Sequence, residues 1–309
     1  MWQSAEGPSA VSIIVDYHQR TRHDYNAYAK GPETLDWDAQ PSPFRQWTGA
    51  PRTRLPLLAQ LQDDTSLGQR LQQPFNRIFT AFDPLPLSRE SLAAWLEMSL
   101  GITAWKTLGP DRWAVRANPS SGNLHPVEAY LVIHAMPGFE NGLYHYCSED
   151  HSLAMRARHF VASEEPALAI ALTSIMWRET WKYGERAFRY CQLDTGHAMA
   201  ALAHAACALG WTLHANASIW QENIARLCGV NRYEEFPARR QAETEREEPE
   251  ILMQLQLTRA TFSPLSAAQT TALAEHAEWY GIATRIDPYP MYRWPLIEEA
   301  ALASRSPDR

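Results

Sequence analysis

The sequence predicts an α+β fold in which a mixed central sheet is flanked by helices, one of them long and rich in alanine. Three observations favour this class. Strand-like and helix-like segments alternate along residues 84–262, and the small apolar residues of 194–209 suit a helix that is buried on most sides. Residues 127–134 and 142–146 are typical of a hairpin turning at Pro137-Gly138, which argues against a purely parallel sheet.

Residues 1–83 are predicted to form an extended arm that wraps around a core or a partner. Five prolines lie between Pro32 and Pro56, and a compact element would not tolerate that density. The polar stretch at 60–73 is expected to be a surface loop.

Residues 84–262 are predicted to form the folded domain. Ser88 is a good N-cap for a first helix that runs to about Leu100. The longest helical candidate covers 177–209 and is expected to end at Gly210. The other predicted elements are strands at 127–134, 142–146, 167–175 and 251–257, a short helix at 219–227 and a solvated charged loop at 239–250. Residues 263–309 are expected to add an amphipathic helix from Ser266 and a proline-rich tail at 287–295.

Length, charge and cysteine spacing narrow the class of protein. The 309 residues can bury a large core, and the 12 Trp and 12 Tyr suit a protein that packs flat rings or has large interfaces. A net charge of −7 lacks the basic face that nonspecific nucleic-acid binding needs. The longest N-terminal apolar run, residues 10–15, is too short for a signal peptide or a membrane span. The four cysteines show no metal-ligand spacing, which favours buried thiols, no metal site and a cytoplasmic location.

The stretch from Arg116 to Pro126 is the most informative part of the chain. It brackets a glycine and several small hydrogen-bonding residues with prolines, as expected of a loop built to hold something. Flavin needs donors to its ring, a cation for its phosphate and an apolar wall. The loop could supply the donors through its main chain and the side chains of Ser120, Ser121 and Asn123, and Arg116 could supply a cation. The alternative, a hydrogen-bonded surface loop, is favoured by loop chemistry alone.

The second candidate site is Lys182-Tyr183, which is followed by three more titratable residues, Glu185, Arg186 and Arg189. A buried lysine can act as a base and a tyrosine can relay a proton. The alternative is a lattice of ion pairs along a helix, and these residues alone favour it.

Two further combinations carry less weight. His197 and His204 share a helical face without a visible third ligand, which favours core or interface histidines over a metal pair. Ser121, His125 and Asp194 would be needed for a hydrolase triad, and no GxSxG motif supports one.

At these residues the chain resembles the nitroreductase superfamily and, within it, the SagB/ThcOx-type dehydrogenases. One block is RANPSSGNLHP at 116–126 with the Glu128-Ala-Tyr130 strand after it. The other is WKYGERAFRY at 181–190 with Asp194-x-Gly-His197 and Ala208-Leu-Gly210. The resemblance covers roughly residues 84–257, and a looser version includes the arm from Tyr17.

The resemblance implies an FMN-binding fold that dimerises, with FMN in the groove between subunits and the long helix in the core and the dimer interface. It makes the loop the flavin contact, and the candidate cofactor-binding residues are Arg116, Pro119, Ser120, Ser121, Gly122, Asn123 and His125. In the azoline dehydrogenases of this group, a Lys-Tyr pair helps to remove the proton while hydride goes to flavin N5. Lys182 and Tyr183 match that pair. Substrates there are thiazolines or oxazolines of modified peptides, and the wider superfamily reduces nitroaromatics, quinones and flavins.

The chain departs from the family pattern in two places. The family usually holds the FMN phosphate with Arg-Arg-Ser-x-Arg near its N-terminus. The nearest match here is the stretch 19–25, whose Arg20 and Thr21 lie roughly a hundred residues before Pro119. In addition, the tail resembles the linker of longer members with two such domains, so the chain resembles their N-terminal half. A homodimer, or pairing with a second nitroreductase-like domain, is therefore expected.

Taken together, the residues predict an FMN-dependent oxidoreductase that acts on a small molecule or a modified peptide, with azoline dehydrogenation as the reaction that Lys182-Tyr183 implies. The alternative is a non-catalytic, nitroreductase-like binding or scaffold protein with a degenerate flavin site. The loop and Lys182-Tyr183 favour the enzyme, whereas the altered phosphate segment favours the scaffold.

Overall fold

The computed structural model describes residues 9–61, 65–80, 82–160, 166–237, 244–259 and 262–305. Its helices and strands alternate along the chain in the manner of an α+β protein. The described helices are α1 (Ala10–Thr21), α2 (Ser66–Leu71), α3 (Arg89–Leu100), α4 (Met176–Tyr183), α5 (Ala187–Ala208), α6 (Gln221–Cys228), α7 (Ala267–Glu275) and α8 (Pro295–Ser304). The described strands are β1 (Trp47–Thr48), β2 (Arg52–Arg54), β3 (Ile102–Leu108), β4 (Asp111–Arg116), β5 (Val127–His134), β6 (Gly142–Cys147), β7 (Ser152–His159), β8 (Ala167–Ser174), β9 (Thr212–Ala215), β10 (Glu248–Gln256), β11 (Ala277–Trp279) and β12 (Ile282–Ala283).

An eight-stranded sheet forms the middle layer. Its strand order is β11-β7-β6-β5-β8-β10-β9, and β2 pairs with β7 beside this path. The α+β class is confirmed, as is the hairpin of β5 and β6. The pairings between described strands are all antiparallel, so the sheet is more uniform in direction than the predicted mixed sheet.

Helices cover both faces of the sheet. On β5, Leu131 and Ile133 face the cluster that contains α3 and α5, whereas Tyr130 and Val132 face the cluster that contains α6. This two-residue alternation follows from the pleat of a strand. Since helices cover both faces of the sheet, β5 is buried along its whole length. The loop that leads into β5 is therefore attached to a buried strand.

The predicted helix at 177–209 is interrupted. Gly184 adopts φ +52° and ψ −128°, which ends α4, and α5 begins at Ala187 after one 3-10 turn. A Cβ at Gly184 would lie 2.5 Å from the carbonyl oxygen of Lys30, because the N-terminal arm passes against this turn. Sequence periodicity could not reveal that contact, because the contact joins residues far apart in the chain.

Other predictions need correction at particular elements. The N-terminal arm contains a helix, α1, and short strands that join sheets, so it is more structured than predicted. The strands β3, β4, β7, β9, β11 and β12 and the helix α8 were not predicted at all. The stretch 60–73, predicted to be a surface loop, contains the helix α2, which Thr65 caps. Within the predicted charged loop at 239–250, residues 239–243 lie outside the described residues and 248–250 belong to β10. The division into arm, domain and tail stays a prediction.

The buried side chain of Arg45 ties the arm to the rest of the fold. Its guanidinium pairs with Glu245 at 3.2 Å and Glu247 at 3.1 Å, and it donates to the carbonyl of Thr284. Glu247 also accepts a hydrogen bond of 2.8 Å from the hydroxyl of Tyr130 on β5. The network therefore joins the arm, the central sheet and the C-terminal segment. No helix in the described ranges is long and apolar enough to cross a bilayer.

Replacing Arg45 by alanine should lower the free energy of unfolding by about 3–5 kcal/mol, because two buried carboxylates lose their cation. Arg52, whose pair with Asp150 at 2.9 Å is one-third exposed, is the matched control, and Arg52→Ala should cost at most about 1 kcal/mol. Urea unfolding followed by circular dichroism measures both. Equal losses in the two variants would contradict a structural role for the buried network.

Candidate functional site

The loop between β4 and β5 is fastened to the start of α5 by Asp194. The main-chain N–H of Ser121 donates to both carboxylate oxygens at 3.0 Å, and the Ser121 hydroxyl donates to Oδ1 at 2.9 Å. Burial raises the pKa of this carboxyl, and the hydrogen bonds from the loop oppose that effect. The side chain of Asp194 on the long helix therefore fixes the position of the loop relative to α5.

The polar side chains of the loop mostly hold the loop itself. The main-chain N–H of His125 donates to Ser120 Oγ at 2.8 Å, and Asn123 Nδ2 donates to the carbonyl of Ala114 at 2.8 Å. His125 Nε2 lies 3.1 Å from Asn123 Oδ1. These side chains were predicted to contact a flavin. The described hydrogen bonds of these side chains shape the backbone of the loop, and their contact with a flavin stays a prediction. Pro119 and Gly122 are the exposed residues of the loop.

Gly122 brings the two predicted sites together. Its backbone has φ +60°, and a Cβ built on it would lie 2.5 Å from the hydroxyl of Tyr183 and 3.1 Å from Lys182 Nζ. Only a residue without a side chain lets Lys182 and Tyr183 approach the loop this closely, and positive φ is also least costly for glycine. The two blocks, separated by some sixty residues of sequence, thus meet at one point.

Aromatic rings surround Lys182 and Tyr183. The Lys182 ammonium lies 5.3 Å from the ring centroid of Trp37, within the range of a cation–π contact. The ring of Tyr183 packs against Tyr190 with centroids 4.5 Å apart. Burial, and then the nearby Glu179 carboxyl, raise the pKa of Tyr183, so its phenol is neutral near pH 7.

Glu179 lies one turn before this pair on α4 and is fully buried. Neither carboxyl oxygen has a hydrogen-bond partner among the described residues. Burial, and then the charge of Asp194, raise its pKa to about 9, while Lys182 opposes the shift. Sequence analysis missed Glu179. The signal available in the sequence was spacing, because Glu179 lies three residues before Lys182 and four before Tyr183, on the same face of α4.

The arm places Arg20 against Glu185, two residues after Tyr183. Arg20 forms a two-point pair with Glu185, in which Nε donates to Oε2 at 2.9 Å. The hydroxyl of Thr21 donates to the carbonyl of Tyr17 and accepts from Arg189 at 3.0 Å. The segment that contains Arg20 and Thr21 therefore lies close to the candidate site, although it is far from the loop in sequence. Both of these predicted phosphate ligands already bond protein groups.

Arg116 does not face the loop surface. Its side chain is buried, donates to the carbonyl of Pro43 at 2.7 Å and lies 5.5 Å from the ring of Phe44. Burial lowers its pKa to about 10. In the structure Arg116 holds the arm through Pro43 and Phe44, and its contact with a flavin stays a prediction.

A second arginine, Arg178, holds the end of the loop. One guanidinium nitrogen donates to the carbonyl of His125 at 2.7 Å and pairs with Glu128 at 2.7 Å. Glu128 also bonds His145 at 2.7 Å. Because these groups are buried and bonded to one another, the end of the loop rests on a fixed polar cluster.

The other sequence candidates find different surroundings. His125 bonds Asn123 and not Ser121, and burial lowers its pKa to about 3, so the three residues of the hydrolase hypothesis do not form a triad. His197 and His204 are exposed on α5 and line a groove of about 660 Å³ together with Pro119, Met98 and Ala201. No group of three metal-binding side chains occurs in the described ranges. Among the cysteines, Cys207 is exposed and the other three are buried.

Comparison with known proteins finds similarity to proteins that are provisionally named nitroreductases. A Methanocaldococcus jannaschii protein provisionally named a nitroreductase, MJ1384, is 27% identical over 161 residues, which cover 48% of this chain and 77% of that protein. The crystal structure of an Anabaena variabilis protein, provisionally assigned as a nitroreductase, has a TM-score of 0.56 at 22% identity. The match covers 85% of this chain and 54% of the other, so this chain spans about half of that relative's length. The likeness in structure shows that this chain has a nitroreductase-like fold.

A third match is more distant. A Ralstonia eutropha protein with the same provisional assignment has a TM-score of 0.46 at 15% identity, covering 75% of this chain and 99% of that one. No protein-family model matches the chain.

Gly122→Ala should destabilise the protein more than an alanine at a glycine of like conformation without neighbours. Gly109 has φ +59° and nothing within 4 Å of a built Cβ, so Gly109→Ala measures backbone strain alone, about 1–2 kcal/mol. At Gly122 the contact with Tyr183 should add about 1–3 kcal/mol of overpacking. Urea unfolding of both variants tests this, and equal losses would argue against close contact between the loop and Tyr183.

Proposed function

We propose that the chain is an FMN-dependent oxidoreductase that moves hydride through flavin N5. The observation that supports this most is the meeting of the Gly122 loop with Lys182 and Tyr183 on a rigid base formed by Asp194. A glycine at the closest approach admits a flat ring, and titratable groups at the same point suit a reaction in which a proton moves with the hydride.

The described residues fit the needs of FMN in kind. Next to the loop, the groove along α5 offers an apolar wall of alanines together with Pro119. On the other side, Arg20 is half exposed, and Arg186 and Arg189 lie on the turn and helix that follow Tyr183. We propose that these cations, with Arg20 shared between Glu185 and a phosphate, replace the usual phosphate segment. Bound FMN would supply the centre that accepts and donates hydride.

The chain's own residues would then orient the substrate and handle its proton. Lys182 and Tyr183 lie where a substrate above Gly122 would meet them, and Trp37 forms an apolar border beside Lys182. The neutral phenol of Tyr183 is suited to donating or relaying a proton. We assign Lys182 as the base that takes the proton of an azoline ring, with Tyr183 as its hydrogen-bonding partner.

The substrate we favour is an azoline of a modified peptide, as in the SagB/ThcOx-type dehydrogenases, because Lys182-Tyr183 matches their pair. A small nitroaromatic or quinone is the alternative within the same chemistry. We further propose a cytoplasmic protein that pairs with a second copy or a second nitroreductase-like domain. The exposed stripe on α5 that includes Leu193, His197 and Ala200 supports pairing through that helix.

A non-catalytic scaffold remains the second candidate, and one observation favours it. The predicted phosphate ligands Arg20 and Thr21 are both engaged with protein groups. A scaffold would keep the fold and the loop but would not take up flavin.

The absorbance spectrum of the purified protein separates the two candidates. We expect flavin bands with one releasable FMN per subunit, and tighter uptake of FMN than of riboflavin, because only FMN can use the cations around Arg20. A colourless protein that takes up neither compound would contradict the enzyme proposal and support the scaffold.

Replacing Lys182 by alanine should leave FMN bound and lower azoline oxidation by about 10²–10⁴-fold, the usual contribution of a positioned base. Lys106→Ala, on the exposed strand β3, is the control and should retain full turnover. Turnover with a synthetic thiazoline peptide is measured alongside the flavin spectrum. Unchanged turnover in Lys182→Ala would remove the proton-transfer role from this residue.

A further inference from the structure

Glu179 is a buried acid that has no evident structural reason to be there. Its side chain is fully buried, and neither oxygen has a hydrogen-bond partner among the described residues. Leaving a buried carboxyl without partners lowers stability, so such groups are expected where function requires them. An apolar residue at this position would pack in α4 without that loss.

The position of Glu179 links it to both halves of the site. On α4 it lies three residues before Lys182 and four before Tyr183, so the three side chains share one helix face. From α5, Asp194 acts on it electrostatically, and Asp194 is the residue that holds Ser121 of the loop. Burial, and then the charge of Glu179, raise the pKa of the Cys191 thiol on α5.

We propose that Glu179 is a third member of the Lys182-Tyr183 group, a buried acid that exchanges its proton through these two side chains. It is a positioning residue, because it acts on the substrate only through them. When a nitro group or a quinone is reduced, Tyr183 gives its phenolic proton to the substrate, the O–H bond of Glu179 breaks, and the proton passes from Glu179 to Tyr183. The Glu179 carboxylate is protonated again from solvent once the product has left. In the oxidation of an azoline, Lys182 takes the substrate proton and Glu179 stays neutral. This role rests on the proposed function, whereas the coupling of Glu179 to Tyr183 does not.

The surroundings explain why the proton stays on Glu179 at rest. Ionisation would place a second negative charge near Asp194 in a buried position, and Lys182 compensates only in part. Tyr183 has Glu179, Asp194 and Tyr190 around it. Loss of the proton from Glu179 would therefore raise the pKa of the Tyr183 phenol.

Glu179→Gln tests the coupling without any flavin or substrate, since glutamine has the shape of the neutral acid. The titration of Tyr183 is followed by phenolate absorbance, as the difference between the parent and Tyr183→Phe. The same difference is then measured between Glu179→Gln and the double variant that carries both substitutions. We expect the apparent pKa of Tyr183 to fall in Glu179→Gln, because the Glu179 carboxylate no longer repels the phenolate. An unmoved titration of Tyr183 overturns the proposal.

Two further measurements establish the protonation state of Glu179 itself. The folded chain holds this proton up to about pH 9, whereas an unfolded glutamate loses it near pH 4.5. The acid therefore costs stability increasingly as the pH rises between those values, and the Tm of Glu179→Gln relative to the parent should rise across that range. Infrared spectra at pH 7 should lose a neutral carboxyl band in Glu179→Gln and keep that band in the control Glu250→Gln. A flat Tm difference or an unchanged band overturns the proposal.

The holoenzyme supplies the last readout. With FMN bound, turnover of the parent should change with an apparent pKa near 9 on its alkaline side, and Glu179→Gln should lose that limb. If the Tyr183 titration shifts but no FMN binds, the proposed function fails while the coupling stands. If FMN binds and turnover keeps its alkaline limb in Glu179→Gln, the proton-exchange role is overturned and the oxidoreductase proposal stands.

Discussion

The carboxylate of Asp194 accepts three contacts from Ser121, and the geometry of the site depends on them. Asp194 lies in the first half of α5, a helix packed against the central sheet, and Ser121 lies in a loop whose far end leads directly into buried β5. The contact therefore joins two rigid parts of the fold. Because Gly122 follows Ser121, the same bonds set how closely the loop approaches Tyr183.

Buried charge is distributed around this contact in an ordered way. Beneath the loop, Arg178 and Glu128 balance one another and hold the carbonyl of His125. Above it, Glu179 is kept neutral by burial and by its proximity to Asp194. Charges that are paired fix the backbone, whereas Glu179, which has no hydrogen-bond partner among the described residues, shares a helix face with Lys182 and Tyr183. Such a division between structural and titratable groups is typical of a site that handles protons.

The N-terminal arm contributes more to this site than its sequence indicates. The main chain at Lys30 packs against Gly184, Trp37 borders Lys182, and Arg20 reaches Glu185. Each contact joins residues more than 140 positions apart, so local composition carries no trace of it. The prolines of the arm predicted an extended path, but the arm contains the helix α1 and short strands that pair with other parts of the fold.

By itself, the sequence determined the α+β class, the strand at 127–134, the strand at 167–174 to within one residue, the cap at Ser88 and the two blocks in which the candidate site is predicted. Periodicity, capping and turn residues act over a few positions, and these features depend on nothing else. Only the tertiary structure decided that the helix breaks at Gly184, that Arg116 is buried, and that Glu179 lies beneath Lys182 and Tyr183. Those outcomes depend on which residues that are far apart in sequence pack against each other, because burial and the distance between charges are properties of the folded chain.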